Sequence, residues 1–266
     1  MEKRSNLERR ISDGLTNYKL TIEYDGTDYN GWQVQNFAGR SKGPTVQGVL
    51  EDALEKIFTN RIKLTSSSRT DSGVHAKAHA ANFKVVTSLE PHTIKKALNS
   101  YTPNDILVKK VERVSDEFNA QHSVKSKVYR YVIYNGIDQS PFSVRYAYHF
   151  KQRLSLSLMR KEAGYFLGSH DFTSFKSSHG GVNKPKDSKR TIKRVDIKKR
   201  GSYIVIDLEA DGFLYYMARN IVGTLIEVGR GKFSSGSVRH ILSARDRRLA
   251  GPTAPAKALT LIKVQY

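Results

Sequence analysis

The sequence predicts an α+β chain of two ferredoxin-like, or RRM-like, halves with a largely antiparallel central sheet and a cleft between them. Three observations predict it. The first half orders its patterned segments as β-α-β-β-α-β, a split βαβ arrangement. The second half repeats that theme loosely. The segment Ile22-Glu23-Tyr24-Asp25-Gly26 is also echoed by Leu208-Glu209-Ala210-Asp211-Gly212, and both precede a tyrosine-rich stretch.

Each element has its own signal. Tyr18 to Tyr24 alternates Leu20, Ile22 and Tyr24 with polar residues, as a strand does, and Asp25-Gly26 ends it. Val46 to Phe58 carries Val46, Val49, Leu50, Ala53, Leu54 and Ile57 at helical spacing, with Thr45 placed to cap it. Strands are expected at Lys63 to Ser67 and Ala78 to Val86, on either side of a turn at Asp71. Pro91 opens a helix to Tyr101, and Ile106 to Val114 reads as a strand. In the second half, strands are expected at Val128 to Tyr134 and Leu259 to Val264. Thr191 to Lys199 and Tyr203 to Ala210 form a hairpin about Arg200-Gly201. Helices are expected at Ser155 to Leu167, Phe213 to Val228 and Ser237 to Ser243. The implied organisation is a basic arm over 1–17, a first half over 18–123 and a second over 124–266.

Composition narrows the partner. The formal net charge is +20 over 266 residues, the footprint of a polyanion-binding surface. No apolar run approaches the ~20 residues needed to span a bilayer. No basic amphipathic helix with a bulky apolar face stands out, which disfavours a membrane surface. The arm has no apolar core and carries Glu2, Glu8 and Asp13, unlike a secretory or transit peptide. There is no cysteine, which removes disulfide frameworks and thiolate zinc sites and suits a reducing, cytoplasmic setting, an organelle included. Gly229-Arg230-Gly231-Lys232 is not a phosphate-binding loop, because Phe233 stands where Ser or Thr is required.

The chemistry centres on Ser68-Arg69-Thr70-Asp71-Ser72-Gly73-Val74-His75-Ala76. A glycine-containing turn lifts one carboxylate to the surface, and an arginine two residues away keeps it ionised. An isolated Asp-x-Gly would read first as an Asx turn, with Asp71 bonding its own backbone. His75 and His79 with Asp71 suggest a metal site. However, i and i+4 lie ~13 Å apart on a strand, and no cysteine or carboxylate cluster assists. A crowd of cations, Lys189, Arg190, Lys193 and Arg194 among them, follows Gly180-Gly181, Lys184, Pro185 and Lys186. It reads as a basic loop and hairpin that track RNA phosphates, or as a solvated charge run.

The Asp71 stretch resembles the signature Arg-Thr-Asp-x-Gly-Val-His of the TruA-type tRNA pseudouridine synthases. Further segments resemble the same family in order: Tyr24-Asp25-Gly26-Thr27 with Tyr29 and Gly31-Trp32-Gln33, the helix Gly48 to Leu54, and Phe118-Asn119-Ala120. Tyr129-Arg130-Tyr131, His170 to Phe175, Arg190-Thr191-Ile192 and Phe213 to Gly223 continue the series. Coverage runs from about Tyr18 to the end. Two departures are visible. The family's Gly-Leu-Tyr-Leu appears as Ala258-Leu259-Thr260-Leu261, and Phe37 to Gly43 is a longer insertion than in compact bacterial members.

The resemblance implies isomerisation of uridine to pseudouridine in the anticodon arm of tRNA, at positions 38–40, by a homodimer. The C1′–N1 bond breaks, the uracil turns, and C5 rejoins C1′. No electrons or groups leave, so no cofactor and no metal are implied. Asp71 is the implied catalytic carboxylate, and Arg69 helps to extrude the target. Tyr129 stacks on the flipped uracil, Arg219 pairs with the carboxylate, and Leu259 packs on the base. From spacing alone Tyr129 reads as a half-buried strand tyrosine. Arg219 sits among Phe213, Met217, Ile221 and Val222, where it needs a partner such as Asp71 or must snorkel. A catalytically silent RNA-binding module on the same fold and a metal-dependent nuclease are the alternatives. The intact Arg-Thr-Asp triplet speaks against the silent module.

Overall fold

A computed structural model describes residues 14–34, 43–177 and 187–266. The expected arm up to residue 13, the insertion up to residue 42 and the Gly180–Lys186 loop lie outside the described residues. The chain forms two compact units, one up to Val124 that also takes in Tyr266, the other Lys125–Gln265.

The N-terminal unit contains β1 (Thr16–Tyr24), α1 (Val46–Phe58), β2 (Thr65–Ser66), β3 (His75–Val85), α2 (Pro91–Tyr101) and β4 (Ile106–Val114). β1 lies between β3 and β4 and is antiparallel to both, with Leu20 opposite Ala81 and Val111. β2 pairs with β3, so the strand order is 4-1-3-2, the ferredoxin-like order read from the sequence. The alternation in β1 is real: Tyr18, Leu20 and Ile22 are fully buried, while Lys19, Thr21 and Glu23 are not. α1 starts where expected, with Thr45 Oγ1 accepting from Gly48 N at 3.2 Å. Its apolar stripe, Val46, Leu50, Ala53 and Leu54, is buried, and each large side chain contributes about 1.5–3 kcal/mol of transfer free energy.

Two boundaries moved. The strand expected at Lys63 to Ser67 shrinks to two residues. Glu51 of α1 explains this, because its Oε1 accepts from Leu64 N at 2.9 Å and takes that amide from the ladder. β3 starts at His75 rather than Ala78, so the turn at Asp71 runs almost directly into it.

The C-terminal unit contains β5 (Ser126–Tyr134), β6 (Tyr148–His149), α3 (Leu156–Ala163), β7 (Gly168–Asp171), β8 (Lys189–Arg200), β9 (Tyr203–Ala210), α4 (Met217–Gly229), α5 (Ser237–Ala244) and β10 (Leu259–Gln265). Its order is β10-β5-β9-β8-β7, and the first four strands repeat the 4-1-3-2 pattern. All described pairings are antiparallel except the short β5–β6 bridge. Tyr131, Ile133, Ile204, Ile206 and Leu208 form the buried sheet face. Buried Glu162 on α3 takes the place of a helix cap for α5, accepting from Gly236 N at 2.7 Å and Val238 N at 3.1 Å.

The helix expected over Ser155 to Leu167 ends at Ala163, where Gly164–Phe166 tightens into a 3₁₀ turn that buries Phe166. The helix expected from Phe213 begins only at Met217. Tyr216 has φ 62°, a left-handed conformation that no helix continues through. The echoed pentapeptides end strands of different rank, β1 and β9. They mark two exits from a strand toward a helix, not equivalent strands of the two units.

Candidate active site

The Asp71 loop is the connection between β2 and β3. Val74 N donates to Asp71 O at 3.1 Å, closing a turn in which Gly73 supplies φ 77°. Thr70 is buried, Asp71 half-buried and Arg69 exposed. The inward Thr70 is the anchor that turns its neighbours outward. Its Oγ1 lies 2.8 Å from the Tyr24 hydroxyl, and its carbonyl accepts from Trp32 N at 3.1 Å. Tyr29 O accepts from Gly73 N at 3.3 Å and from Ser72 Oγ at 3.1 Å.

The segment Tyr24 to Trp32 is therefore the bed of the loop. Gly31 has φ 81°, and a Cβ built there would lie 2.4 Å from Thr70 O and 3.0 Å from the Asp71 carbonyl carbon. Gly26 is pressed as closely on the backbone of Val74. Side chains there would lift the carboxylate off its support.

His75 and His79 belong to that support. His79 stacks on Trp32 at 3.8 Å between centroids, and its Nδ1 lies 3.1 Å from the Tyr24 hydroxyl. Nδ1 of His75 lies 3.0 Å from both Gly26 N and Asp25 Oδ1. Both rings are buried. Phe118-Asn119-Ala120 is also fastened to this unit: Asn82 Oδ1 accepts from Ala120 N at 2.8 Å, and the Phe118 ring meets Tyr266 edge-on.

The C-terminal unit carries Tyr129, Arg219 and Leu259. Tyr129 on β5 stands opposite Leu208 on β9 and Leu261 on β10, and Leu259 stands opposite Tyr131. Tyr129 and Leu259 are both buried, and the Phe213 ring meets Tyr129 edge-on at 5.0 Å. Phe213, expected on the helix, instead packs on that ring from the turn before it. Arg219 is half-buried in the first turn of α4. Its Nε donates to Ala254 O at 2.7 Å, and its guanidinium lies 4.7 Å from the Tyr216 ring centre. Burial pushes the phenol of neighbouring Tyr131 well above its ordinary range, with Arg219 acting slightly against that.

Asn220, beside Arg219, holds the start of α4. Its Nδ2 donates to Phe175 O at 2.7 Å, and its Oδ1 accepts from Thr253 Oγ1 at 2.7 Å and from Arg247 at 3.0 Å. The segment His170 to Phe175 is thus a scaffold, with Phe172 and Phe175 in the core. Sequence reasoning passed over Tyr24, Trp32 and Asn220 as functional supports. All three lie inside quoted motifs, but their partners are remote in the chain.

The cations expected to track phosphates lie on β8. Lys189 and Arg190 open the strand. Lys193 is the extra residue of a bulge between Ile192 and Arg194, and its ammonium donates to Lys125 O at 3.1 Å. Arg194 lies 3.5 Å from Glu209 and 3.9 Å from Asp196, so its charge is partly answered.

Comparison with known proteins gives the family. The tRNA pseudouridine synthase family matches residues 20–123 and 163–266. A protein from Clostridium perfringens named tRNA pseudouridine synthase A 2 is 42% identical over 252 residues, covering 95% of this chain and all of that protein. The tRNA pseudouridine synthase A of Thermoanaerobacter sp. (strain X514) is 43% identical, and that of Acetivibrio thermocellus 40%, each over 95% of this chain and its own full length. With the matched segments spanning both the Asp71 loop and the start of α4, the chain belongs to the tRNA pseudouridine synthase family.

Proposed function

We propose that this chain isomerises uridine to pseudouridine in the anticodon arm of tRNA, with Asp71 as its essential carboxylate. The observation that carries the reading is the bed of the loop: Tyr24, Gly31 and Trp32 hold the buried Thr70 so that Asp71 beside it is presented. The glycosidic carbon is out of reach in a stacked helix, so the uridine is flipped, at a cost of a few kcal/mol. Arg69 assists extrusion. Tyr129 stacks on the freed uracil, Leu259 packs on it, and Arg219 steadies Asp71. C1′–N1 breaks, C1′–C5 forms, and the C5 proton leaves to solvent. The reaction needs no external electron or group. Lys189, Arg190, Lys193 and Arg194 track the RNA backbone.

The nuclease alternative loses its ligands, because His75 and His79 are committed to Asp25, Tyr24 and Trp32. Release of tritium from tRNA labelled at uridine C5 tests the reading. Release that persists in chelator with intact RNA is expected. Shortened RNA, or no release, refutes it.

The working form is a homodimer in which one tRNA touches both copies. Apolar side chains are exposed along one segment of the C-terminal unit: Ile137 at 83% and Phe142 at 95%, with Val144 and Tyr146 nearby. Two-fold pairing is the commonest way such a patch is covered. Sedimentation at micromolar concentration should give a dimer; a fully active monomer overturns it. A cytoplasmic location goes with tRNA chemistry. No described helix is long and apolar enough to cross a membrane.

A further inference from the structure

Lys127 lies two residues before Tyr129 on β5, on the same sheet face and about 7 Å along the strand. Its cross-strand neighbours are Ala210 on β9 and Val264 on β10, which carry no polar side-chain group. The next residue in that row is Ile192, opposite Ala210, and Arg190 precedes Ile192 by two on the same face of β8. Arg190 is held there. Its guanidinium donates to the carbonyls of Asp187 and Lys189, and its Nε lies 3.4 Å from where a Cβ on Gly212 would stand. Gly212 leads into Phe213, which meets the Tyr129 ring. Two cations and the stacking tyrosine thus share one end of one sheet face.

Among the described residues no acid forms an ion pair with either cation. Elsewhere on this sheet Arg130 is matched to Asp207, Arg194 to Glu209 and Lys198 to Asp196. Among the described residues no carboxylate pairs with Lys127. Of the two acids flanking Ala210, Asp211 accepts from Thr191 N at 3.0 Å, and Glu209 is taken by Ser126 Oγ and Arg194. Withdrawal from water, followed by the charge of Arg190, pushes the Lys127 ammonium down to about 8. Holding a desolvated cation beside another costs the free protein stability. An anion between them removes that cost.

We infer that Lys127 and Arg190 form a phosphate clamp that grips the RNA backbone beside the uridine stacked on Tyr129. The clamp rests on the tRNA reading above. It would set the target's sugar in place while the base is loosened, and it would take up a proton on binding when the pH is above about 8. Affinity for tRNA therefore falls as pH rises through that value.

The test is tRNA affinity of the full chain across salt, at pH 6.5 and pH 9, for the parent, Lys127→Met, Lys127→Arg and Arg190→Gln. Lys127→Met should bind about tenfold more weakly at low salt, with a salt slope shallower by about one. Its RNA-free melting temperature should not fall, since a strained charge has gone. Lys127→Arg should match the parent at pH 6.5 and keep its affinity at pH 9, where the parent loses it. Arg190→Gln should weaken binding similarly. Parental affinity and slope in Lys127→Met overturn the clamp, as does a lower melting temperature with no rescue by arginine. Inorganic phosphate gives the second arm. If it raises the melting temperature of the parent but not of Lys127→Met, while both bind tRNA alike, the site takes a free anion and the RNA assignment fails. A parent that binds tRNA but releases no tritium refutes the isomerase reading instead, and the affinities still judge the clamp.

Discussion

Replacing Gly31 by alanine attacks the Asp71 loop without touching a group proposed to react. At φ 81° an L-residue pays about 1–2 kcal/mol in backbone strain. The new Cβ would stand 2.4 Å from Thr70 O, and relaxing that contact to about 3.3 Å means a shift of roughly 1 Å. Gly31 cannot supply the movement. Its carbonyl accepts from Val46 N at the start of α1, and the adjoining Trp32 is fully buried. The loop must therefore give way, and Asp71 moves with Thr70. Overpacking adds about 1–3 kcal/mol to the loss of stability. A misplacement of about 1 Å costs on the order of 100-fold in rate.

The assay is single-turnover tritium release, with tRNA affinity and melting temperature measured on the same protein. Gly31→Ala should turn over about 100-fold more slowly, bind tRNA within about twofold of the parent, and melt earlier. A parental rate in a protein destabilised as expected would refute the claim that this packing positions Asp71. A parental rate with parental stability would refute the close contact itself.

Asp71→Asn should abolish turnover with nearly unchanged tRNA affinity, because phosphate contacts carry binding; residual activity above a few per cent removes Asp71 from its assigned role. Tyr129→Phe should keep affinity and stacking, whereas Tyr129→Ala loses about 1–3 kcal/mol of stacking, read as weaker binding and slower release of tritium. Lys193→Glu on the β8 bulge should weaken tRNA binding and flatten its salt dependence without changing which uridine is modified, as mapped by chemical detection of pseudouridine. Glu162→Ala leaves Gly236 N and Val238 N without their acceptor and should cost about 2–4 kcal/mol in urea denaturation, with little effect on rate per folded molecule.

Local signals gave the element order almost completely. Thr45 before an apolar helical stripe, Pro91 at a first turn and the alternation of β1 each act over a few residues, so the chain displays them openly. The 4-1-3-2 order of both units follows from the succession of elements. What stayed hidden depends on partners far away in the chain. The β2 ladder is cut short by Glu51, whose claim on the Leu64 amide appears only once α1 is docked. Tyr24 meets Thr70 and His79, 46 and 55 residues further on, so its motif was visible but its task was not. Lys127 carries no signal of its own in the sequence, because its neighbours Ala210, Val264 and Arg190 are set by strand register.

Arg219 shows how a single displaced boundary alters a site. On an unbroken helix from Phe213 it would sit mid-helix within an apolar stripe. Because the backbone reverses at Tyr216, α4 starts four residues later and Arg219 falls in its first turn. That position is unfavourable to a cation, since the helix N-terminus carries partial positive charge, worth about 0.3–1 kcal/mol. The same reversal supplies the compensation: it slides the Tyr216 ring beneath the guanidinium, while Ala254 O takes the Nε proton. The carbonyl and the ring face help to hold the cation against the helix dipole without neutralising it. The left-handed turn thus moves an arginine that periodicity would set mid-helix into the half-buried first turn, and if it serves the carboxylate as proposed, straightening that turn should slow tritium release before it lowers the melting temperature.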